Sequence, residues 1–276
     1  MKNVDLVILA GGKGSRIKKY LKNKPKPMLK FNNLHFLQYL LNIFCKYSFN
    51  KIYILAGYKS KIIFKKFHNK NINFIKIECI KEKKLMGTGG SLSNLKGKKL
   101  NDFVLINGDT IFDIDIVNLI KSYKKNKIGA FALTQNKKNI NNLKLNNLKI
   151  DRNKIKYDSA GKLMNGGVYF FKKSILNLIP RKNCSLENDI LSKIIKKNKI
   201  GAKVYNDFFI DIGTPKYLKQ TSKHLKIKYE KPAAFLDRDG VLNYNYGYVH
   251  NIKKFKFKKG VLKGLKFLIK NNYYIF

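Results

Sequence analysis

A layered α/β domain with a mixed, mainly parallel sheet is what the sequence predicts for most of its 276 residues. Three observations lead there. Short apolar runs alternate with stretches of helical spacing, several of those runs end in glycine-bearing turns, and a hydrophobic content of 44% is enough for a large core. The length allows one large domain or two smaller ones.

Taken in order, residues 4–9 are an apolar run that stops at Ala10-Gly11-Gly12-Lys13-Gly14-Ser15-Arg16, a strand feeding a glycine-rich turn. Residues 36–49 have helical spacing, and 51–56 read as the next strand. Helical spacing returns at 62–67, followed by an extended stretch at 72–79 and a helix at 88–95. A buried-type strand at 103–106 ends at Asn107-Gly108-Asp109. Then come a helix at 116–123, strands at 128–133 and 168–171, and a strong helix at 186–195. The stretch 203–208 reads as a strand running into Asp211-Ile212-Gly213, and Pro215 suits the start of a helix reaching about Lys226. The Asn-rich stretch 136–153 has little pattern and reads as a surface excursion. Glu230-Lys231-Pro232 breaks the alternation; a strand at 233–236, a helix at 261–269 and a strand opening at 273–276 follow. The expected division is therefore one α/β domain over 1–228 and the beginning of a second over 232–276.

Charge and composition narrow the function. The 59 Lys and Arg against 16 Asp and Glu give a net +43, which invites a nucleic-acid reading. The distribution argues against it. Only Arg16, Arg152, Arg181 and Arg238 are arginines, although arginine is the bidentate reader of phosphate and guanine. The lysines run along the whole chain with an excess of Asn and Ile, residues that share A- and T-rich codons, so much of the charge reads as compositional drift. No specific nucleic-acid partner is expected. Cys45, Cys79 and Cys184 lie far apart, without a CxxC, and indicate neither a disulfide framework nor a zinc knuckle. No apolar run approaches a membrane span, and the N-terminal apolar run is too short for a secretory signal, so no membrane partner and a cytoplasmic location are expected.

Against this drift the retained Gly, Pro, Arg and Asp stand out. Eleven of the 19 glycines fall within 11–14, 87–90, Gly108, 166–167, Gly213 and Gly240. A strand ending in Gly-Gly-Lys-Gly-Ser-Arg supplies backbone N–H groups and cations suited to a nucleoside triphosphate, but with neither the Walker A nor the dinucleotide spacing. Lys24-Pro25-Lys26-Pro27-Met28 holds Lys26 on a stiffened segment nearby.

Residues 9–16 followed by 24–28 resemble the signature of the sugar-1-phosphate nucleotidyltransferases, the heptose and mannose 1-phosphate guanylyltransferases among them. Met86-Gly87-Thr88-Gly89-Gly90, Asn107-Gly108-Asp109, Met164-Asn165-Gly166-Gly167-Val168-Tyr169, Ser185-Leu186-Glu187-Asn188-Asp189 and Asp211-Ile212-Gly213-Thr214-Pro215 match further motifs in the same order. The resemblance implies a three-layer Rossmann-like fold and transfer of a nucleotidyl group from an NTP, GTP being favoured, to a sugar 1-phosphate with loss of pyrophosphate. Such chemistry is mostly positioning and charge neutralisation. It casts Arg16 and Lys26 as catalytic cations. Ala10, Gly11, Gly12, Gly14, Ser15, Gly87, Thr88 and Asn107 fall on the nucleotide side, and Asn165, Gly166 and Glu187 on the sugar side. Asp109 and Asp211 are cast as Mg²⁺ ligands. Relatives carry a Glu-Lys-Pro before the sugar strand; this chain has none, and Lys156 and Lys162 are the alternatives for its lysine.

Phe235-Leu236-Asp237-Arg238-Asp239-Gly240-Val241-Leu242-Asn243, with Gly247-Tyr248-Val249-His250 beyond, resembles the first motif of haloacid-dehalogenase-type phosphatases of the heptose-bisphosphate and histidinol-phosphate branch. That resemblance makes Asp237 the nucleophile, Asp239 the general acid and base, and both metal ligands. The further residues such an enzyme needs would lie past Phe276, so this module is expected to be an incomplete, inactive segment. The two resemblances together imply synthesis of nucleotide-activated heptose for surface glycans, with D-glycero-D-manno-heptose 1-phosphate as acceptor. A heptose 1,7-bisphosphate phosphatase and a basic nucleic-acid-binding protein are the alternatives. Homo-oligomerisation and a second chain completing the phosphatase segment both stay open.

Overall fold

The computed structural model describes residues 3–135, 148–151, 154–158, 160–271 and 273–276. The chain falls into two compact units, Met1–Lys219 and Gln220–Phe276.

In the first unit, β1 (Val4–Leu9) is apolar and buried on both faces, as a strand covered by helices on both sides must be. The exception is Asp5, fully buried, whose carboxylate accepts from Asn50 Nδ2 at 2.8 Å and the Asn101 N–H at 2.7 Å. Two 3₁₀ turns, Ser15–Tyr20 and Lys26–Met28, lead to a hairpin of β2 (Lys30–Phe31) and β3 (Leu34–His35). The helix α1 (Phe36–Phe44) buries seven of its nine residues. It stops five residues short of the expected end because Tyr47 and Phe49, which continue the apolar spacing, lie in a turn and pack edge-on at 6.3 Å. β4 (Ile52–Ala56) is wholly buried, and α2 (Ser60–Phe67) follows. The expected single strand at 72–79 is instead a hairpin of β5 (Asn71–Ile72) and β6 (Ile75–Lys81), because Asn73 and Phe74 both take left-handed φ and reverse the chain.

Next come α3 (Gly87–Ser91), β7 (Asp102–Asn107), β8 (Thr110–Phe112), α4 (Ile116–Lys121) and β9 (Gly129–Gln135). Within the Asn-rich stretch expected as an excursion, 136–147 and 152–153 lie outside the described residues. The remainder is regular: β10 (Leu148–Asp151) and β11 (Lys154–Tyr157) pair antiparallel, with Leu148 and Ile155 turned into the core. The first unit is completed by β12 (Leu163–Phe171), a π-helical run Leu186–Leu191 continuing as α5 (Ser192–Lys196), β13 (Ile200–Tyr205) and β14 (Phe209–Asp211). Residues 203–208 thus do not run straight on to Asp211; β14 leaves the main sheet to pair with β8.

Among the described residues ten strands form one mixed sheet in the order β11-β10-β12-β7-β1-β4-β6-β5, with β9 joining β12 and β13. Its centre, β6-β4-β1-β7, is parallel, whereas β12 runs antiparallel to β7 and β9. Tyr169 stacks between Phe131 and Phe171, at 6.1 and 5.5 Å, in the core on one face. Because β1 and β7 are adjacent and parallel, their carboxyl ends open together, the usual place for a ligand in such sheets.

The helix α6 (Pro215–Tyr229) contains the division between units, which the sequence placed at 228–232. In the second unit, β15 (Ala233–Ala234) pairs in parallel with β16 (Tyr274–Ile275), with α7 (Val261–Lys270) between them in sequence. β15 is shorter than expected, since at Phe235 the side chain is exposed and stacks on Phe276 at 5.0 Å. No residue of α7 is buried. Among the described residues no helix is long and apolar enough to cross a membrane.

Phe103, fully buried on β7, tests the core of the first unit. Phe103→Ala is expected to lower its unfolding free energy by about 3–5 kcal/mol, read as a lower urea midpoint.

Candidate functional site

The carboxyl ends of β1 and β7 frame a cavity of about 730 Å³. Its floor is made where chains approach too closely for side chains. After β1 the chain is tied to β4, Ala10 N–H donating to Leu55 O at 2.8 Å and Tyr58 N–H to Gly11 O at 3.0 Å. A Cβ at Gly11 would stand 2.0 Å from Glu82 Oε1, and one at Gly108 would stand 2.5 Å from Leu9 O. Gly108 therefore leaves no room beside the β1 backbone, whereas a side chain at Gly11 would displace the Glu82 carboxylate; both turns leave backbone facing the cavity.

Cations come from the segment that follows. Lys13 and Arg16 line the cavity, Arg16 on a 3₁₀ turn anchored by the buried Ile17. Lys26 sits between Pro25 and Pro27, buried, and its Nζ lies 2.7 Å from Asp109 Oδ2. Asp109 follows β7, and Asp211 ends β14; the β14–β8 pairing sets Asp211 opposite Thr110, and Ile212 N–H donates to Asp109 O at 3.0 Å. The two carboxylates are brought together by that ribbon. Asp109 keeps 31% of its side chain exposed, so a ligand can reach it.

Their ionisation is split. Burial disfavours the Asp109 carboxylate, but the Lys26 ammonium, helped by Thr110 and Arg16, holds its pKa below the ordinary value. Asp211 is pushed up from 3.8 to about 6 by burial and by the neighbouring Asp109 charge, against a hydrogen bond from Gly213 N–H. Among the described residues no group of three or more His, Cys, Asp or Glu is placed to hold a metal ion. Two carboxylates still fit Mg²⁺, a hard ion that takes one or two from the protein and fills its shell with water and ligand phosphate oxygens.

The opposite wall joins α3 to the segment before the π-helical run. Gly89 and Gly90 N–H both donate to Cys184 O, at 3.0 and 3.2 Å, and Cys184 N–H donates to Met86 O at 2.9 Å. A Cβ at Gly90 would meet Lys182 O at 2.4 Å and one at Gly87 would meet Cys184 O at 2.5 Å, so these glycines serve chain-to-chain packing. Thr88 and Glu187 face the cavity and are hydrogen-bonded at 2.7 Å. On β12 the register slips between Asn165 and Tyr169, Gly167 takes φ +73°, and Asn165 is fixed by Tyr169 OH (2.6 Å) and Gly167 N–H (3.0 Å). That bulge aims Asn165 and Gly166 at the cavity.

Of the residues expected from sequence, Ala10, Gly11, Gly12, Arg16, Lys26, Gly87, Thr88, Asn107, Asp109, Asn165, Gly166, Glu187 and Asp211 line this one cavity. Gly14 and Ser15 do not: Gly14, at φ +65°, makes the left-handed turn into the 3₁₀ segment, and Ser15 is turned to solvent. Lys156 and Lys162 are not in the lining either; Lys156 pairs with Asp151 at 2.9 Å. Asp237 and Asp239 belong to the second unit, where Arg238 pairs with Asp239 through Nε and Nη2, both at 2.9 Å. Sequence reasoning had Lys13 only as one of the cations of the glycine loop, and missed Ser91 and above all Glu82, a buried carboxylate in the lining that accepts from Ser91 Oγ at 3.0 Å and whose pKa burial raises. The signal was present: a rare acidic residue at the end of β6, four positions before Met86-Gly87-Thr88.

The family of nucleotidyl transferases matches residues 6–227. The D-glycero-alpha-D-manno-heptose 1-phosphate guanylyltransferase of Campylobacter jejuni subsp. jejuni serotype O:2 is 32% identical over 216 residues, 76% of this chain and 94% of that protein. The bifunctional protein GlmU of Methanococcus aeolicus is 31% identical over 232 residues, which is 80% of this chain but only 54% of that longer protein. Among solved structures, HddC from Yersinia pseudotuberculosis complexed with GMP-PN superposes with a TM-score of 0.67 at 29% identity, covering 81% of this chain and all of that one. The family match ends at residue 227 and lends no support to the phosphatase reading of the segment beyond it.

Mn²⁺, used as a spectroscopic stand-in for Mg²⁺, is expected to bind more weakly as pH falls through about 6, because Asp211 takes up a proton there. Titration followed by electron paramagnetic resonance should show this, and Asp211→Asn should both weaken binding and flatten its pH dependence. Unchanged affinity between about pH 5 and 7 in the unaltered protein would remove Asp211 from the ligand set.

Proposed function

Since the chain belongs to the nucleotidyl transferase family, we propose that this cavity transfers GMP from GTP to a sugar 1-phosphate, D-glycero-D-manno-heptose 1-phosphate being the favoured acceptor. A phosphate oxygen of the sugar attacks the α-phosphorus, the bond to the bridging oxygen breaks, and pyrophosphate leaves with the electron pair. The observation that carries this reading is the meeting of a glycine-walled backbone floor, the cations Lys13, Arg16 and Lys26, and the Asp109–Asp211 pair in one cavity.

Each part has a task in that reaction. The backbone of Ala10 to Gly12 receives the triphosphate. Arg16 and Lys26 neutralise charge on the reacting phosphate and the departing pyrophosphate, the dominant requirement for phosphoryl transfer. Asp109 and Asp211 hold Mg²⁺, which when bound draws charge off the phosphate oxygens. Asn165, the Gly166 backbone and Glu187 take the sugar hydroxyls.

Glu82 supports guanine as the base. It stands beside the α3 loop as a buried acceptor, and guanine alone among the common bases offers two adjacent donors, N1–H and the N2 amino group, on one edge. A cytosine or adenine edge would set acceptors or a single amino group there. The heptose 1-phosphate acceptor is favoured by the similarity to the Campylobacter guanylyltransferase over nearly its whole length.

Pyrophosphate release from Mg²⁺, each of four NTPs and a panel of sugar 1-phosphates tests the reading, with GTP and the heptose phosphate expected to give the highest kcat/KM. Asp109→Ala should cut kcat by ~100-fold or more with the circular dichroism spectrum retained. Glu82→Gln should lower kcat/KM for GTP by roughly 10- to 150-fold, the worth of a hydrogen bond to a charged group. An Asp109→Ala protein with full turnover would end the assignment.

A further inference from the structure

We infer that Thr88 is a positioning residue for the sugar side of the site, acting through Glu187, rather than a contact to the nucleotide. The inference rests on the transferase reading above. Its basis is the use already made of the Thr88 hydroxyl. Leu186 N–H donates to Thr88 Oγ1 at 2.9 Å, and Oγ1 donates its only proton to Glu187 Oε2 at 2.7 Å. A ligand could gain a bond from that proton only by breaking one to a carboxylate, which is the stronger kind.

The rest of the wall is built around the same purpose. Ser185 Oγ donates to the same Glu187 Oε2 at 3.0 Å while accepting from Asn188 N–H at 3.1 Å. Two hydroxyl protons therefore converge on one carboxylate oxygen and leave Oε1 to the cavity that Glu187 lines. The terminal torsion of a glutamate is otherwise broad, and a side chain that must be ordered on binding weakens the complex. The relay also spans two chain segments. α3 is clamped to Cys184 by the N–H groups of Gly89 and Gly90, so the position of Thr88 relative to Glu187 is set by backbone on both sides. What looks in sequence like a nucleotide loop thus carries the brace of the acceptor site.

The test is steady-state kinetics on the full chain with GTP and the sugar 1-phosphate that gives turnover in the panel above, comparing Thr88→Val, Thr88→Ser and Glu187→Ala. Thr88→Val should raise KM for the sugar phosphate by roughly five- to thirtyfold and leave KM for GTP within about twofold. Thr88→Ser, which keeps the hydroxyl, should restore the unaltered values. In a Glu187→Ala background the further effect of Thr88→Val should fall below about twofold, because the group it positions is gone. A rise in the GTP KM with an unchanged sugar KM would overturn the inference in favour of a direct nucleotide contact. So would a Thr88→Val effect that persists undiminished without Glu187. Should Thr88→Val not fold, Thr88→Ala is read by the same two KM values and the same coupling. Silence of the unaltered chain with every nucleotide and sugar pair would instead overturn the transferase reading, and this inference with it.

Discussion

Two carboxylates are forced together by a three-residue ribbon. Pairing of β14 with β8 brings Asp211 against the Asp109 turn, and like charges at that range raise the cost of ionising both. Lys26 is what makes the arrangement tolerable. Its ammonium, held in place by flanking prolines and itself almost wholly buried, lies 2.7 Å from Asp109 and keeps that carboxylate ionised. The proton affinity is displaced onto Asp211. The loop after β1, the sheet order that sets β7 beside it, and the departure of β14 from the main sheet all serve to converge these three side chains.

The fold class and most of the site were legible in the sequence, and for a physical reason. In a chain drifting towards Lys, Asn and Ile, sites where a Cβ cannot fit or a carboxylate is required resist the drift, so Gly11, Gly108, Asp109 and Asp211 stand out against a uniform background. Glu82 was passed over because its one signal, a rare acidic residue just after β6, does not say that the side chain is buried; the neighbour that shows this, Gly11, is remote in sequence. Turns reversed by asparagine were hidden too. Asn73 and Phe74 adopt left-handed φ without any glycine, so a hairpin read as one strand. The pairing of β10 with β11 lay within an Asn-rich stretch whose short Leu-x-Ile alternation was swamped by its surroundings.

Roles were less legible than positions. Thirteen of the expected residues line the cavity; within that lining the glycines of α3 pack against 182–186, and the Thr88 hydroxyl is engaged by Leu186 N–H and Glu187. A motif fixes which residues meet. Only the hydrogen-bond directions say what each can still offer a ligand.

The second unit presents Phe235, Tyr248, Ile252, Phe267 and Phe276 to solvent, each more than 60% exposed, and leaves α7 without a buried residue. Surface of that kind ordinarily drives molecules together. The net +43 opposes it, since every copy repels every other before apolar faces can touch. Colloidal behaviour therefore depends on ionic strength: at low salt repulsion reaches well past the surface, and at ~1 M the screening length shrinks to about 3 Å. The lysine excess, which says little about what the site does, supplies the repulsion that opposes association through these exposed side chains.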